Sequence, residues 1–102
     1  MKIYIAGKIT GDAKYKEKFA SEAKAIEDAG HIPLNPAMLP AGMKNEDYMR
    51  ICFAMIDISD AVYFLPDALE SKGAMLEYDY CDYTYKPRFY LEDIGGQHEE
   101  HS

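Results

Sequence analysis

The sequence predicts an α/β fold: a three-layer sandwich around a small parallel sheet, flavodoxin- or Rossmann-like, with strand order 2-1-3-4. Apolar runs of strand length alternate with helical segments in the order β-α-β-α-β-α-β. Ala61-Val62-Tyr63-Phe64-Leu65 is apolar throughout, as in a strand covered on both faces within a parallel sheet. Right-handed crossovers then put the chain reversal between the first and third strands. Ligands of such sheets bind beyond the carboxyl ends of the strands at the reversal. The loops there are Gly7 to Asp12 and Pro66 to Ser71.

Lys2 to Ala6 opens the sheet with β-forming residues and stops at Gly7, before the polar turn Lys8-Ile9-Thr10-Gly11-Asp12. Tyr15 to Ala29 spaces Phe19, Ala23, Ile26 and Ala29 at helical intervals, with Lys and Glu on the other face. Gly30 is placed to end that helix in the left-handed region. His31 to Leu34 is a second strand, halted by Asn35-Pro36, and Pro36, Pro40 and Gly42 mark an irregular loop. Asn45 with Glu46 and Asp47 reads as a cap and an acidic first turn. The helix it opens runs to about Ile58 and buries Met49, Cys52, Phe53 and Ile56. Pro66 to Glu70 is a loop, and Ser71 caps a third helix reaching about Tyr83. Lys86-Pro87 breaks it, and Arg88 to Leu91 is the last strand. One domain over 1–91 and a flexible polar tail over 92–102, with Gly95-Gly96, are expected.

Charge narrows the function. Eleven Lys and Arg against 18 Asp and Glu give a net charge of −7 and a pI near 4.8. That acidity argues against a broad nucleic-acid-binding face, although a few local donors still suffice for a small anion. No apolar run approaches the ~20 residues a membrane helix needs. Met1 to Gly7 is too short for a signal peptide, and the simplest address is the cytoplasm. Cys52 and Cys81 stand far apart without a CxxC, which indicates neither a disulfide framework nor a zinc site. His98-Glu99-Glu100-His101 is one residue short of HExxH. No metal and no cofactor are therefore expected.

Two segments carry chemistry. Ala6-Gly7-Lys8-Ile9-Thr10-Gly11-Asp12 places glycines where a backbone can approach a ligand, yet fits neither GxxxxGK[ST] nor GxGxxG. A tight turn needing positive φ accounts for it equally well. Ser71-Lys72-Gly73-Ala74-Met75-Leu76-Glu77 is more informative. Ser71 sits at a helix start, where open backbone N–H groups and the helix dipole favour an anion. Lys72 adds a positive charge and Gly73 permits close approach. Glu77 follows 77 − 71 = 6 residues later, about 9 Å along the axis at the ~1.5 Å helical rise. That length matches a sugar phosphate, with phosphate at the helix mouth and the carboxylate beside the sugar. The competing account is a capped helix with one solvated glutamate.

Ile3-Tyr4-Ile5-Ala6-Gly7 with Thr10-Gly11, Asp60-Ala61-Val62, and Ser71-x-Gly73-x-x-x-Glu77 followed by Lys86-Pro87 resemble the nucleoside 2-deoxyribosyltransferase-like superfamily. The resemblance covers about residues 1 to 91. It is to a compact bacterial and phage branch and, among characterised members, to the 2′-deoxynucleoside 5′-monophosphate N-hydrolases. It implies that Glu77 is a nucleophile that attacks the anomeric carbon and displaces the base. Water or a second base then resolves the glycosyl-enzyme, following the logic of retaining glycosidases. Such a nucleophile works ionised, so the expectation is a Glu77 pKa that is not strongly raised.

Ser71 matches the position where free-nucleoside transferases resemble one another in having aspartate and nucleotide hydrolases in having serine, the latter binding a 5′-phosphate. Ser71 with Lys72 and Gly73 thus implies a nucleoside 5′-monophosphate. Gly7, Lys8, Thr10 and Gly11 match the loop that wraps the nucleotide, and Tyr4 matches a tyrosine near the catalytic carboxylate.

There are departures. The nucleotide hydrolases have arginine where this chain has Thr10, which leaves Lys8 or Lys72 to supply the charge. They also carry an aspartate on the helix before the third strand that orients attack or protonates the base. Asp57 is the preferred counterpart here, with Asp47 the other candidate. His31 is expected to satisfy local backbone groups, Asn35 to serve a turn or the pocket rim, and both cysteines to be core residues. Tyr78, Tyr80, Tyr83 and Tyr85 supply more aromatic surface than one buried face needs, which suggests a homodimer or larger homo-oligomer. Three functions follow: nucleotide N-glycosidic hydrolysis, base exchange between deoxynucleosides, or nucleotide binding without turnover.

Overall fold

The computed structural model describes residues 1–90, so Leu91 and the expected tail 92–102, including His98 to His101, lie outside the described residues. Its elements are β1 (Lys2–Ala6), α1 (Tyr15–Asp28), β2 (Ile32–Leu34), α2 (Asn45–Ile58), β3 (Ala61–Phe64), α3 (Lys72–Thr84) and β4 (Arg88–Tyr90). Short 3₁₀ turns, Pro36–Met38 and Pro66–Glu70, occupy two of the connections expected as loops. The strands form one sheet in the order β2-β1-β3-β4 with every pairing parallel, as the sequence predicts. In the central pair Ile3 lies opposite Ala61 and Ala6 opposite Phe64.

Side-chain alternation along β1 and β3 divides the core in two. Ile3, Ile5, Tyr63 and Leu65 point to one face, where Phe19 and Ile26 of α1 cover them. Tyr4, Ala6, Val62 and Phe64 point to the other, beneath Cys52 and Ile56 of α2 and Ala74 and Cys81 of α3. Both faces of the central strands are dry, which explains their unbroken apolar sequence. Of the four residues expected inside α2, Cys52 and Ile56 are buried; Met49 and Phe53 are half-buried at its margins.

Helix ends follow the sequence with two exceptions. Gly30 takes φ +90° after α1, and the His31 amide donates back to the Ile26 carbonyl. Ser71 caps α3 by accepting from the Ala74 amide at 3.1 Å. Asn45 is not the cap of α2: extended Lys44 holds that position without a side-chain bond, and its carbonyl starts the helix by accepting from the Asp47 and Tyr48 amides. Tyr85 ends α3 at φ +60°, where glycine is usual, and lets the Lys86 amide reach the Cys81 carbonyl at 2.9 Å.

The opposite edge of the sheet is tied at Asp60. Its carboxylate accepts from the Lys2 amide at 2.7 Å, and Lys86 Nζ donates to the Ser59 carbonyl at 2.5 Å. Helices antiparallel to the strands therefore start at the cleft edge and finish at this one. No helix among the described residues is long and apolar enough to cross a membrane.

Gly7 ends β1 hard against the chain leaving β3. A Cβ on Gly7 would sit 2.8 Å from Leu65 Cδ1 and 3.1 Å from Leu65 Cβ. Gly7→Ala is expected to destabilise the fold by about 1–3 kcal/mol, the usual cost of overpacking a dry core. Urea denaturation of wild type and variant checks this; equal midpoints would contradict it.

Candidate active site

A cleft of about 690 Å³ opens at the carboxyl ends of β1 and β3, where the topology places a ligand. Its walls are the loop after β1, the start of α1, segment 36–42, one face of α2 and the first two turns of α3. Glu77 reaches it from α3 and is only 6% exposed. The Tyr4 hydroxyl on β1, itself buried, donates to Glu77 Oε2 at 2.8 Å. Cys52 of α2 lines the same part of the cleft and completes the group.

Burial raises the Glu77 pKa from its ordinary 4.5 to about 7, against the opposing pull of hydrogen bonds from Tyr4 and Cys52. The expectation of a pKa that is not strongly raised is thereby corrected. The side chain is buried rather than at the helix's solvated face, and no cation is paired with it among the described residues. Burial also holds the Tyr4 hydroxyl well above its usual range and the Cys52 thiol up at about 11. Both stay protonated at neutral pH, which suits them to donate to an ionised Glu77.

The start of α3 forms the far end of the cleft. Lys72 and Gly73 carry its first two amides, which have no carbonyl within the helix to bond. A Cβ on Gly73 would meet only Met49 Sδ at 3.7 Å and Ser71 Oγ at 3.8 Å. Packing does not demand glycine there; what glycine provides is bare backbone facing the cleft. Ser71 Oγ accepts from Ala74, which leaves its hydroxyl proton available as a donor. Lys72 lines the same region, exposed and without a carboxylate partner among the described residues.

Tyr4, Gly7, Thr10, Ser71, Lys72, Gly73 and Glu77 all line the cleft. Lys8 and Gly11 do not. The Lys8 amide donates to Asp67 Oδ1 at 3.0 Å and its ammonium pairs with Glu70 at 3.4 Å. Gly11 serves the turn, at φ +83°. Asp57 is misplaced as a catalytic group, because α2 runs antiparallel to the strands and carries Asp57 to the edge opposite the cleft. There it accepts from the Tyr80 hydroxyl at 2.6 Å. Asp47, at the correct end of α2, does not line the cleft and lies 3.9 Å from Arg50.

His31 Nδ1 bonds the N-terminal amine at 3.0 Å, and Asn35 caps the first 3₁₀ turn through the Ala37 amide. Tyr80 stacks on Phe53 and Tyr78 packs edge-on to Phe64, whereas Tyr83 and Tyr85 are exposed. Sequence reasoning missed Cys52 as a cleft residue, the Tyr48–Met49 wall, and the carboxylates Asp67 and Glu70 beside the mouth. Asp67 and Glu70 sit in the loop already singled out by topology, which was the one available signal. Among the described residues no cluster of His, Cys, Asp and Glu could hold a metal ion.

A parallel sandwich of strand order 2-1-3-4 is a fold found in a solved deoxyribosyltransferase. The structure is similar to that of a 2-deoxyribosyltransferase from the psychrotolerant bacterium Bacillus psychrosaccharolyticus, described as a biocatalyst for synthesis of antiviral and antitumoral nucleosides. The TM-score is 0.70 at 17% identity, covering 88% of this chain and 71% of that one. Residues 1–90 match the family described as a domain of unknown function (DUF4406), and the chain belongs to that family. No curated protein matches the sequence.

The raised Glu77 pKa couples ionisation to stability. Between pH 4.5 and about 7 the folded state holds a proton that the unfolded state has lost, so stability falls as pH rises through that window. The loss amounts to about 3 kcal/mol at ~1.36 kcal/mol per pH unit. In Glu77→Gln this component should vanish, leaving the variant the more stable protein at pH 8. Denaturant titrations at pH 5 and pH 8 measure it; the same pH dependence in both proteins would contradict the burial argument.

Proposed function

We propose that the protein cleaves the N-glycosidic bond of a nucleoside or 2-deoxynucleoside 5′-monophosphate through a covalent glycosyl-enzyme on Glu77. The observation that carries this reading is a buried carboxylate, bonded by Tyr4, in the same cleft as the open amides at the start of α3. Phosphate at those amides and beside Lys72 sets the sugar along the helix, with its anomeric carbon toward Glu77. Pro36, Leu39 and Met49 offer an apolar wall to the face of the base.

Glu77 attacks the anomeric carbon as the bond to the base nitrogen breaks, and that bond's electron pair leaves with the base, which takes up a proton from solvent. Water then attacks the same carbon, breaking its bond to the Glu77 oxygen and giving up a proton to solvent, which releases sugar phosphate and returns the carboxylate. Tyr4 and Cys52 orient the carboxylate and stabilise it as it re-forms. Base exchange, in which a second base replaces water, is the alternative favoured by the likeness to a deoxyribosyltransferase. The exposed Tyr83 and Tyr85 support a homo-oligomer, which sedimentation in solution tests.

Incubation with the common nucleotides is expected to release free base and sugar 5-phosphate, and Glu77→Gln to slow this by on the order of 10³ or more. Because the attacking group must be ionised, kcat/KM should rise with pH through about 7. Intact-mass spectrometry should find a sugar phosphate adduct on wild type and none on Glu77→Gln. A labelled second base appearing in product nucleotide would instead favour exchange. Nucleotide binding with no product from any substrate, unchanged in Glu77→Ala, would overturn the catalytic reading.

A further inference from the structure

Lys18, at the end of the first turn of α1, does not line the cleft, and its position in the sequence reads as part of a solvated helix face. Its ammonium is instead surrounded. It donates to the Lys8 carbonyl at 2.9 Å, to Asp12 Oδ2 at 2.6 Å and to Asp67 Oδ2. An ammonium has three protons, and all three are engaged. The acceptors come from different places: Lys8 and Asp12 from the loop after β1, Asp67 from the 3₁₀ turn after β3.

The anchoring carboxylates are themselves shared. Asp67 Oδ1 accepts from the Lys8 amide at 3.0 Å, and Asp12 Oδ1 accepts from the Lys14 amide at 2.9 Å. A second tie crosses the same gap where Lys8 Nζ meets Glu70 at 3.4 Å. The two loops so joined carry cleft residues on both sides, Gly7, Ile9 and Thr10 on one and Glu70 and Ser71 on the other. The side chains of Lys18, Asp12 and Asp67 are each about one-quarter exposed, a setting in which ion pairs are less screened than on the open surface.

We infer that Lys18 is a positioning residue: its ammonium fastens the loop after β1 to the turn after β3 and so fixes the two walls that grip a ligand in the cleft. The chemistry at Glu77 does not pass through it. Loosening the knot lets both loops sample conformations that hold no ligand, which weakens binding and leaves the ionisation of Glu77 alone. Arginine is a poor substitute, because a planar guanidinium spreads its donors rather than converging them on one point. Loop rigidity follows from these contacts alone, whereas the effect on ligand affinity rests on the nucleotide reading above.

Hydrogen-exchange mass spectrometry on the full chain tests the first claim with Lys18→Met, Lys18→Arg and Asp67→Asn. In Lys18→Met, amides of 7–12 and 65–71 should exchange about tenfold faster or more, while the interiors of β1 and β3 stay within about twofold of wild type. Lys18→Arg should fall between the two, and Asp67→Asn should loosen the same segments. Calorimetric titration with the four 2′-deoxynucleoside 5′-monophosphates tests the second: affinity should drop by about tenfold in Lys18→Met, with the pH midpoint of Glu77 near 7 unchanged. Loop exchange equal to wild type, or acceleration spread evenly over the chain, would overturn the positioning role. Should wild type bind none of these nucleotides, the functional reading fails, and the exchange result still decides the role of Lys18.

Discussion

The hydrogen bond from Tyr4 to Glu77 joins the central strand to the third helix at the one buried carboxylate among the described residues. A carboxylate taken from water without a cation beside it is held at a cost in stability, and two protonated neighbours offset only part of that cost. Packing gives no reason for the arrangement, since an apolar side chain of similar volume would fill the space more cheaply. Such a group makes sense where its charge is wanted inside a cleft, available on deprotonation and ordered before a ligand arrives. The oriented carboxylate depends on β1 being central and covered, because an edge strand would leave Tyr4 wet and its bond to Glu77 weaker.

Helix α3 does two things by virtue of its direction. Its start faces the cleft, so its unbonded amides and the positive end of its dipole lie there, and Glu77 lies on the same side six residues further in. A ligand with an anionic end and an electrophilic carbon less than two turns away would meet both. Direction equally explains why Asp57 cannot take part. It lies at the far end of α2, bonded to Tyr80 and more than a turn beyond Cys52, the last residue of that helix to line the cleft. Helix polarity, once the strands are parallel, decides which end of each helix can hold chemistry.

How much of this was legible in the sequence depends on how local the determining physics is. The unbroken run Ala61 to Leu65 specified a doubly covered strand, Gly30 a left-handed helix end and Ser71 a cap; all depend on neighbours in sequence and all match the structure. The cleft residues near Gly7 and Ser71 were legible because topology fixes where parallel strands end. Two helix ends differ from the sequence reading, Lys44 standing where Asn45 was expected and Tyr85 adopting a glycine conformation, because capping preferences are weak and a helix end shifts by a residue at little cost. The raised pKa of Glu77 was illegible for a deeper reason: it follows from the dehydration of a pocket built from segments far apart in sequence. Lys18 was hidden in the same way, since its partner Asp67 lies 49 residues away in sequence.

The net charge of −7 does not describe the potential at the mouth of the cleft. Asp12 and Asp67 converge on Lys18, and Glu70 faces Lys8, so the nearest carboxylates are partly neutralised by pairs that also brace the loops. Lys72 and the α3 amides are not so engaged, and they stand closest to an incoming anion. Charges farther off are screened over about 8–10 Å at physiological ionic strength. The acidic exterior then works against long polyanions, which must lie across much of the surface, far more than against a single phosphate that reaches only the mouth. A small anionic ligand and an acidic protein are compatible here because Lys8 of the first loop and Lys18 of α1 answer the acidic groups of the loops at the mouth.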